Sequence, residues 1–325
     1  MNVKTYATPK VVVSRCLEFD EVRYNGEVLP DKVVQRLQPH VTFIPVCPEV
    51  EIGLGVPRDV IRIVKTEDEE KLVQPKTGED LTEKMDSFTK GFLAALPEVD
   101  GFLLKNRSPT CGTQDVKMYG KIEKSPVIGK TKGFFAREIL EEHSGLAIEE
   151  EGRLKNYKIR EHYLTKLFTL AKFREMKQQK SMKNLVNFQA ENKYLFMAYN
   201  QTAQKEMGRI VANHDHASVE EVYEAYEEKL HWMFRRAPSR RSNINVCQHI
   251  VGYFKYDLTT SEKEFFQSEL VKYEEERIPL SALLSILQSW VVRFNDSYLE
   301  QQSYFQPYPE DLIEISDSGK GRAYS

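Results

Sequence analysis

The chain has 325 residues, enough for two domains with sizeable cores. Its hydrophobic fraction of 41%, charged fraction of 29% and formal net charge of −3 are typical of a soluble globular protein. Uniform basicity is therefore excluded as a sign of nucleic-acid binding. No apolar stretch approaches the roughly 18 residues of a membrane span, and the polar start of the chain lacks the apolar core of a signal peptide. We expect a cytoplasmic protein with no membrane partner.

Short apolar runs alternate with amphipathic stretches in the first half of the chain. Helical spacing of apolar residues predicts helices at residues 24–37, 78–96 and 133–143. Apolar runs predict strands before each of the first three cysteines, at residues 61–64 and, more weakly, at residues 125–128. Alternating strands and helices predict a parallel, doubly wound sheet of Rossmann-like type.

The pattern changes near residue 146. The segment at residues 149–153 is acidic and broken by Gly152, and we interpret it as a linker. From residue 158 onward the spacing is helical, with long examples at residues 163–177, 185–206 and 219–235. Pro238 and Pro279 mark helix ends. We therefore predict an α/β N-terminal domain at residues 1–152, followed by an all-α C-terminal domain at residues 153–325.

Three of the four cysteines occupy the same kind of position. Cys16, Cys47 and Cys111 each come shortly after a short apolar run. If these runs are parallel strands, the three thiols emerge at the edge of the sheet where open α/β folds bind ligands. Three thiolates without a fourth predict a metal or cluster site with one open coordination position.

The cysteine pattern leaves alternatives open. A structural zinc site normally has four ligands, often cysteines in close pairs, whereas these cysteines are separated by tens of residues. A [4Fe–4S] cluster fits better, because thiolates hold such clusters and a fourth iron can act as a Lewis acid. The competing interpretations are buried cysteines that pack as small hydrophobic residues, and a thiol–disulfide pair, although the chain has no CxxC motif.

Polar residues near the cysteines are candidates for catalysis and substrate binding. Glu49, two residues after Cys47, is a candidate general base, although a carboxylate favoured at a helix start has the same spacing. Ser108, three residues before Cys111, is a candidate proton relay, with a turn-capping serine as the alternative. The candidate substrate-binding residues border the same loops and are Ser14, Arg15, Arg58 and Lys105.

Residues 53–58, Gly-Leu-Gly-Val-Pro-Arg, resemble a phosphate-binding loop superficially. The segment lacks the Walker lysine and the full dinucleotide fingerprint, so we expect no nucleotide cofactor. Gly53 and Gly55 are instead expected to allow close approach of the backbone to the site.

Five segments together resemble the thiouracil desulfidase (TudS) family. They are Ser-Arg-Cys-Leu at 14–17, Arg-Tyr-Asn-Gly at 23–26, Cys-Pro-Glu at 47–49, residues 53–58, and Leu-Lys-Asn-Arg-Ser-Pro-Thr-Cys-Gly at 104–112. The resemblance covers roughly residues 7–150. It implies that Cys16, Cys47 and Cys111 hold a [4Fe–4S] cluster whose fourth iron accepts the sulfur of the substrate. It also implies catalytic roles for Glu49 and Ser108.

The second half resembles the helical YbgA-type domain. The matching segments are Asn-Val-Cys-Gln-His-Ile-Val-Gly-Tyr-Phe-Lys at 245–255, Ile-Pro-Leu at 278–280 and Gln-Pro-Tyr-Pro at 306–309. One departure is Asn192, where that family usually has a histidine, so the role of that histidine is not carried over. We expect Cys247 to be structural and His249 to be buried and hydrogen-bonded.

The two domains in this order are similar to RudS-type tRNA 4-thiouridine desulfidases. The resemblance implies a [4Fe–4S]-dependent, non-redox enzyme that converts 4-thiouridine in tRNA to uridine. A desulfidase of free thiouracil bases and a non-catalytic iron–sulfur sensor or RNA-binding protein are the alternatives. Two basic clusters in the helical half are predicted RNA contacts. They are Lys172, Arg174, Lys177, Lys180 and Lys183, and Arg235, Arg236, Arg240 and Arg241 with the flanking Trp232 and Phe234.

Overall fold

The first half of the chain alternates strands and helices, as predicted. The structure, a computed structural model, describes residues 4–67 and 69–313. In chain order the elements are β1 (Lys10–Ser14), α1 (Lys32–Leu37), β2 (Thr42–Val46), α2 (Pro48–Glu51), β3 (Arg62–Lys65), β4 (Glu70–Gln74), β5 (Glu79–Asp80), α3 (Thr82–Ala95), β6 (Gly101–Leu104), β7 (Val116–Tyr119), β8 (Val127–Thr131), α4 (Phe134–Glu142), β9 (Ala147–Glu150) and α5 (Tyr157–Lys177).

Four strands form an all-parallel sheet in the order β2-β1-β6-β9. In the register of β1, Val11 lies opposite Phe43 on one side and Gly101 on the other. Val12 packs into one buried apolar cluster, whereas Val11 and Val13 pack into another. Strands that are apolar at nearly every position need this burial on both faces. The predicted parallel, doubly wound sheet is confirmed.

A second, mixed sheet was not predicted. It has the order β5-β4-β3-β7-β8, in which only the β3–β7 pair is parallel. The predicted strand at residues 61–64 corresponds to β3, and the one at 125–128 overlaps β8. Ile63 of β3 lies opposite Leu72 of β4, and both pack into the same buried cluster as Val12. This second sheet therefore shares its core with one face of the parallel sheet.

Three predictions about the first half are wrong in part. The helix predicted at residues 24–37 begins only after Asp31, whose side chain accepts hydrogen bonds from Val33 N and Val34 N. Before it, Gly26 has a φ of 75°, which ends any helix there. The segment at residues 149–153 is not a simple linker, because its first two residues belong to β9, which pairs with β6. The helix predicted at 133–143 is confirmed as α4. The one predicted at 78–96 is confirmed as α3 only from Thr82 onward, because Glu79 and Asp80 form β5 and pair with β4.

The chain divides into two compact units. One comprises the residues up to Lys172 and again from Tyr308, and the other is Phe173–Pro307. The domain boundary at residue 152 stays a prediction. Beyond α5, the helices are α6 (Met182–Glu191), α7 (Lys193–Tyr199), α8 (Gln201–Ala212), α9 (Val219–Met233), α10 (Arg240–Val251), α11 (Thr260–Glu274), α12 (Leu280–Phe294) and α13 (Ser297–Glu300). The predicted all-α second half is confirmed.

The helical unit has an aromatic core. Phe173 and Tyr226 are stacked, with ring centroids 5.6 Å apart, and Phe188 contacts both rings. The single helix predicted at residues 185–206 is three helices, because Asn192 and Asn200 interrupt it; the Asn200 side chain caps α8. Over residues 4–67 and 69–313, no helix has the length and apolarity needed to cross a membrane.

Candidate functional site

Three cysteine thiols meet at one edge of the parallel sheet. The strands β1, β2 and β6 run in the same direction, and Cys16, Cys47 and Cys111 lie in the segments that follow them. Cys47 is the residue immediately before α2, which begins at Pro48. All three cysteines line one cavity of about 380 Å³. The convergence predicted from the strand pattern is therefore confirmed.

Buried polar groups hold the segment after β6 against the sheet. Ser14 Oγ accepts a hydrogen bond from Lys105 N at 2.9 Å. The Glu151 carboxylate accepts one from Asn106 N at 2.8 Å and a second from the Lys105 ammonium. Ser14 and Glu151 are both buried. Leaving a buried polar group without a hydrogen-bond partner destabilises the fold. These contacts therefore hold the segment that carries Cys111 in place.

Close approach of the backbone occurs at Gly112, the residue after Cys111. A Cβ there would lie 2.5 Å from the Val116 side chain and 2.9 Å from the Ser108 carbonyl oxygen. At Gly53 and Gly55, by contrast, a Cβ would meet no atom within 4 Å. Neither glycine lines the cavity, so the expectation that they bring the backbone close to the site is wrong. A glycine suits position 53 because its φ is 90°.

The Glu49 carboxylate is held at both oxygens. Arg58 donates from Nε and Nη2 to Oε2, at 2.9 and 2.6 Å. Thr110 Oγ1 donates to Oε1 at 2.9 Å, and Ser108 Oγ lies 3.4 Å from the same oxygen. Only 13% of the Glu49 side chain is exposed. Charge-assisted bonds of this kind fix the carboxylate in one orientation in the cavity wall.

The Ser108 hydroxyl serves the turn and also contacts the carboxylate. Its Oγ accepts hydrogen bonds from Thr110 N and Cys111 N, both at 3.2 Å, as a turn-capping serine does. It also lies 2.9 Å from Thr110 Oγ1. The two interpretations of Ser108 are thus compatible.

Thr110 is a buried residue of the site that sequence reasoning missed. It is fully buried, and its Oγ1 lies close to Glu49, to Ser108 and, at 3.6 Å, to Cys111 Sγ. The only signal for it was its place between Ser108 and Cys111 within the segment at 104–112. A hydroxyl at that place links the two candidate catalytic groups to a candidate ligand.

The three cations predicted to bind substrate are each paired with a carboxylate. Arg58 is only 6% exposed and also donates to Val22 O at 2.9 Å, so it positions Glu49 and is not available to a phosphate. The side chains of Arg15 and Lys105 are 25% and 20% exposed, and both line the cavity. The pairs are Arg15 with Glu51, Arg58 with Glu49, and Lys105 with Glu151.

The surroundings of the thiols bear on what they can hold. Burial, and next the proximity of Cys47, raise the pKa of Cys16 to about 12, and burial also raises the pKa of Cys47 and Cys111. A coordinating metal centre reverses this effect and deprotonates the thiol. Arg58 Nη2 lies 3.9 Å from Cys47 Sγ, so a donor is already placed beside that sulfur.

The donor set fits an iron–sulfur cluster. Thiolates are the ligands of such clusters, and three of them leave one iron without a protein ligand. Within the described ranges, no three or more His, Cys, Asp or Glu side chains form a site for a single metal ion. The fit therefore rests on three cysteines around one cavity, with Arg58 and Thr110 beside two of the sulfur atoms.

Exposed residues surround the entrance of the cavity. Tyr24 is 41% exposed and Val60 46%, and both line the cavity. The Arg23 guanidinium lies 5.2 Å from the centroid of the Tyr24 ring. An exposed aromatic face beside an apolar side chain is suited to a planar heterocycle. Neither Arg23 nor Tyr24 was among the predicted site residues, although both belong to the segment at 23–26.

All nine predicted site residues line this one cavity. Their chemical roles stay predictions, since geometry alone does not assign them. They are Ser14, Arg15, Cys16, Cys47, Glu49, Arg58, Lys105, Ser108 and Cys111.

The first basic cluster is largely neutralised. Arg174 is buried, Lys177 pairs with Glu227 and Lys180 pairs with Glu220. A lysine already paired with a carboxylate contributes less to phosphate binding than an unpaired one.

The second basic cluster is more open. Arg235, Arg236 and Arg241 are exposed, and Trp232 is 45% exposed. Phe234 is fully buried, however, so the expectation that it flanks an RNA surface is wrong. The spacing of aromatic and basic residues could not reveal which aromatic ring faces the core.

Two further residues of the helical unit were assigned from sequence. Cys247 is fully buried, with its Sγ 3.9 Å from the Tyr304 hydroxyl, which agrees with a structural role. His249 is exposed, so the expectation that it is buried is wrong. Near the C-terminal end of α10 it lies outside the buried stripe that contains Val246 and Ile250.

The fold and the cavity define a class of protein. It is an α/β domain with three cysteines at one edge of its parallel sheet and, beside them, a glutamate held by hydrogen bonds. Residues 11–151 match the family described as 2-thiouracil desulfurase, and residues 193–309 match one described as protein of unknown function (DUF1722). The chain belongs to the 2-thiouracil desulfurase family and carries a YbgA-type domain after the desulfurase region. The predicted family and domain order are confirmed, and the family supports the predicted enzyme class, a desulfidase of thiouracil.

Individual relatives match one half or the other. The uncharacterized protein YbgA of Escherichia coli (strain K12) is 23% identical over 158 residues, which are 48% of this chain and 93% of that protein. The uncharacterized protein YbbK of Bacillus subtilis (strain 168) is 30% identical over 110 residues, 32% of this chain and 73% of that protein. The solved [4Fe–4S]-dependent thiouracil desulfidase TudS is 25% identical with a TM-score of 0.34, covering 45% of this chain and 93% of that chain.

Proposed function

We propose that the chain is a non-redox desulfidase that removes sulfur from thiolated uracil, with 4-thiouridine in tRNA as its substrate. One observation carries the proposal. A single cavity of about 380 Å³ joins three thiols to a hydrogen-bonded network of Glu49, Thr110 and Ser108. A sensor needs the thiols but has no use for a positioned carboxylate and hydroxyl beside them.

Cys16, Cys47 and Cys111 would hold a [4Fe–4S] cluster. When bound, the cluster supplies an iron with an open coordination position, which acts as a Lewis acid toward sulfur. Arg58, beside Cys47, would donate a hydrogen bond to that ligating sulfur. Thr110 lies beside Cys111 but gives its one hydroxyl hydrogen to Glu49.

The chain's own residues would handle water and protons. The overall reaction replaces the thiocarbonyl sulfur by oxygen: one water enters, hydrogen sulfide leaves and no electrons are transferred. Glu49, held by Arg58 and Thr110, would orient the water and take its proton as it attacks the ring carbon. Ser108, 3.4 Å from the same carboxylate, would return a proton to the ring nitrogen or to the departing sulfur.

The cavity and the helical unit both suit a base carried on RNA. Tyr24 and Val60 would contact the pyrimidine ring at the entrance. The exposed Arg235, Arg236 and Arg241 offer cations for the phosphate backbone, which a free base would not need. A paired or stacked nucleotide would first have to turn outward.

Anaerobic reconstitution with iron and sulfide, followed by incubation with thiolated tRNA and nucleoside analysis, tests the proposal. We expect 4-thiouridine to be lost, with matching amounts of uridine and sulfide. Free 4-thiouracil and 2-thiouracil are assayed in parallel. If free bases were turned over and the tRNA were left intact, the substrate would be free thiouracil instead. Intact substrates of both kinds beside a well-formed cluster would favour a sensor.

A further inference from the structure

A cluster of tyrosine rings lies at the C-terminal end of α10 in the helical unit. The Tyr253 and Tyr298 rings are stacked, with centroids 6.0 Å apart and planes 19° apart. Tyr194 contacts both rings edge-on, at 6.3 and 6.5 Å. Tyr194 is buried, whereas Tyr253 is 42% exposed. We name Tyr194, Tyr253, Tyr298 and the adjacent Lys193 the tyrosine patch.

The patch carries an unpaired positive charge. Lys193 Nζ lies 5.4 Å from the Tyr194 centroid and 5.9 Å from the Tyr298 centroid. Within residues 4–67 and 69–313, it forms no ion pair with a carboxylate. Besides burial, the nearby Asp296 carboxylate raises the pKa of the Tyr194 and Tyr298 hydroxyls. It caps α13 by accepting a hydrogen bond from Leu299 N at 2.9 Å. The lysine therefore has no carboxylate partner among the described residues and can meet an anion beside the Tyr298 ring, which stacks on Tyr253.

A second tyrosine–lysine pair follows directly along the chain. Tyr256 is 87% exposed, and Lys255 Nζ lies 4.6 Å from its ring centroid. Lys255 likewise forms no ion pair within the described ranges. Tyr194 stabilises the fold because its ring is buried. The Tyr256 ring is too exposed to contribute to the core.

We infer that the tyrosine patch binds unpaired bases of an RNA, with Lys193 contacting its phosphates. Bases in single-stranded segments stack on tyrosine rings, and lysines beside those rings neutralise the backbone. The exposed Arg241 lies near the start of α10, and a helix of 12 residues is about 18 Å long. An RNA strand could therefore contact both ends of α10. The inference rests on the proposed RNA substrate and names the surface that would hold it.

Equilibrium binding of the full chain to an unmodified tRNA transcript tests the patch without any turnover. The variants are Tyr253→Ala, Tyr253→Phe and Lys193→Gln, and Phe265→Ala is the matched control, an exposed ring on α11 with no ring contact to the patch. We expect Tyr253→Ala to weaken binding about tenfold, because one stacked base is lost. Tyr253→Phe should bind as the wild type does. Lys193→Gln should lower the slope of log affinity against log salt by about 1.

The outcomes separate this inference from the proposed enzyme activity. Wild-type affinity in Tyr253→Ala and Lys193→Gln would overturn the patch, whatever the enzyme does. Equal losses for a base-paired duplex of the same length would also overturn it, since no unpaired base is then involved. Unchanged RNA binding with altered self-association, measured by sedimentation, would assign the patch to a protein partner instead. An unchanged iron–sulfur absorbance in each variant after anaerobic reconstitution would show that the sulfur site is intact.

Discussion

The edge of the parallel sheet and the surface of the helical unit differ in how far their chemistry follows from the sequence. At the sheet edge, each of three strands ends in a motif, and all nine predicted residues line one cavity. On the helical unit, the two predicted basic clusters differ: Lys180 is paired with Glu220, whereas Arg236 is exposed.

The difference has a physical origin. Parallel strands fix where the following residues emerge, so position after a strand determines position in space. A helix fixes only its own periodicity, and whether a lysine is paired depends on what another helix brings to it. The predictions below test each side of this comparison, from the largest expected effect to the smallest.

Replacing one thiol at the sheet edge should have the largest effect. In Cys111→Ala, the iron–sulfur absorbance and the desulfidase activity should be lost together, because a ligand is missing. Cys247→Ala is the control, since that thiol is buried in the helical unit and should leave both readouts intact. Absorbance and iron content after anaerobic reconstitution, with turnover of thiolated tRNA, measure the outcome. A fully active Cys111→Ala protein would remove the cysteine from the ligand set.

The carboxylate should matter for turnover and not for the cluster. Glu49→Gln keeps the shape of the side chain but cannot accept a proton from water, so kcat should fall by about 10²- to 10⁴-fold. The iron–sulfur spectrum should be unchanged. Glu51→Gln, on the same helix and paired with Arg15, is the matched control and should retain most activity. Normal turnover by Glu49→Gln would contradict the role of Glu49 as the base.

Thr110 should act through the groups that it holds. Thr110→Val removes the hydroxyl with little change in volume and leaves Glu49 Oε1 without its 2.9 Å donor. Loss of a hydrogen bond to a charged group is worth about 1.5–3 kcal/mol, so we expect kcat to fall by roughly 10- to 100-fold. Thr110→Ser should restore the donor and most of the rate. If Ser and Val variants were equally impaired, packing rather than the hydroxyl would explain the effect.

The sequence was sufficient for the parallel sheet and the thiol edge. A strand that is apolar at every position is buried on both faces only in the interior of a covered sheet. Runs such as Val11–Val13 therefore predict both a strand and its central place in the sheet. It was insufficient for the mixed sheet, because β5 has only two residues and β8 is exposed at Val127 and Ile128. Short or exposed strands depend on their neighbours for pairing and have no strong pattern of their own.

The contacts within the site were harder to predict than its location. Arg58 was expected to meet substrate, yet it is buried against Glu49, and the pairing depends on where residues 53–58 pass the start of α2. Thr110 carries no distinctive spacing. The Phe234 and His249 predictions were wrong for the same reason, since a helix presents residues to the core or to solvent according to which helices pack on it.

Tyr24 should affect substrate binding more than chemistry. Tyr24→Ala removes an exposed ring at the entrance of the cavity and should raise KM by about tenfold, as expected for one lost stacking contact. The value of kcat should change little, because the hydrogen-bond partners of Glu49 are Arg58, Ser108 and Thr110 and not Tyr24. Tyr24→Phe keeps the ring and should keep KM. A fall in kcat without a change in KM would place Tyr24 in the chemical step instead.

The smallest effect is expected for a lysine that is already neutralised. Lys180 pairs with Glu220 at 2.9 Å, so Lys180→Gln should leave the salt dependence of tRNA binding unchanged. Arg236 is exposed and forms no ion pair within the described ranges, so Arg236→Gln should lower the slope of log affinity against log salt by about 1. Binding titrations at several salt concentrations measure both slopes. If the two variants had equal slopes of log affinity against log salt, ion pairing would not determine which cations of the helical unit contact RNA.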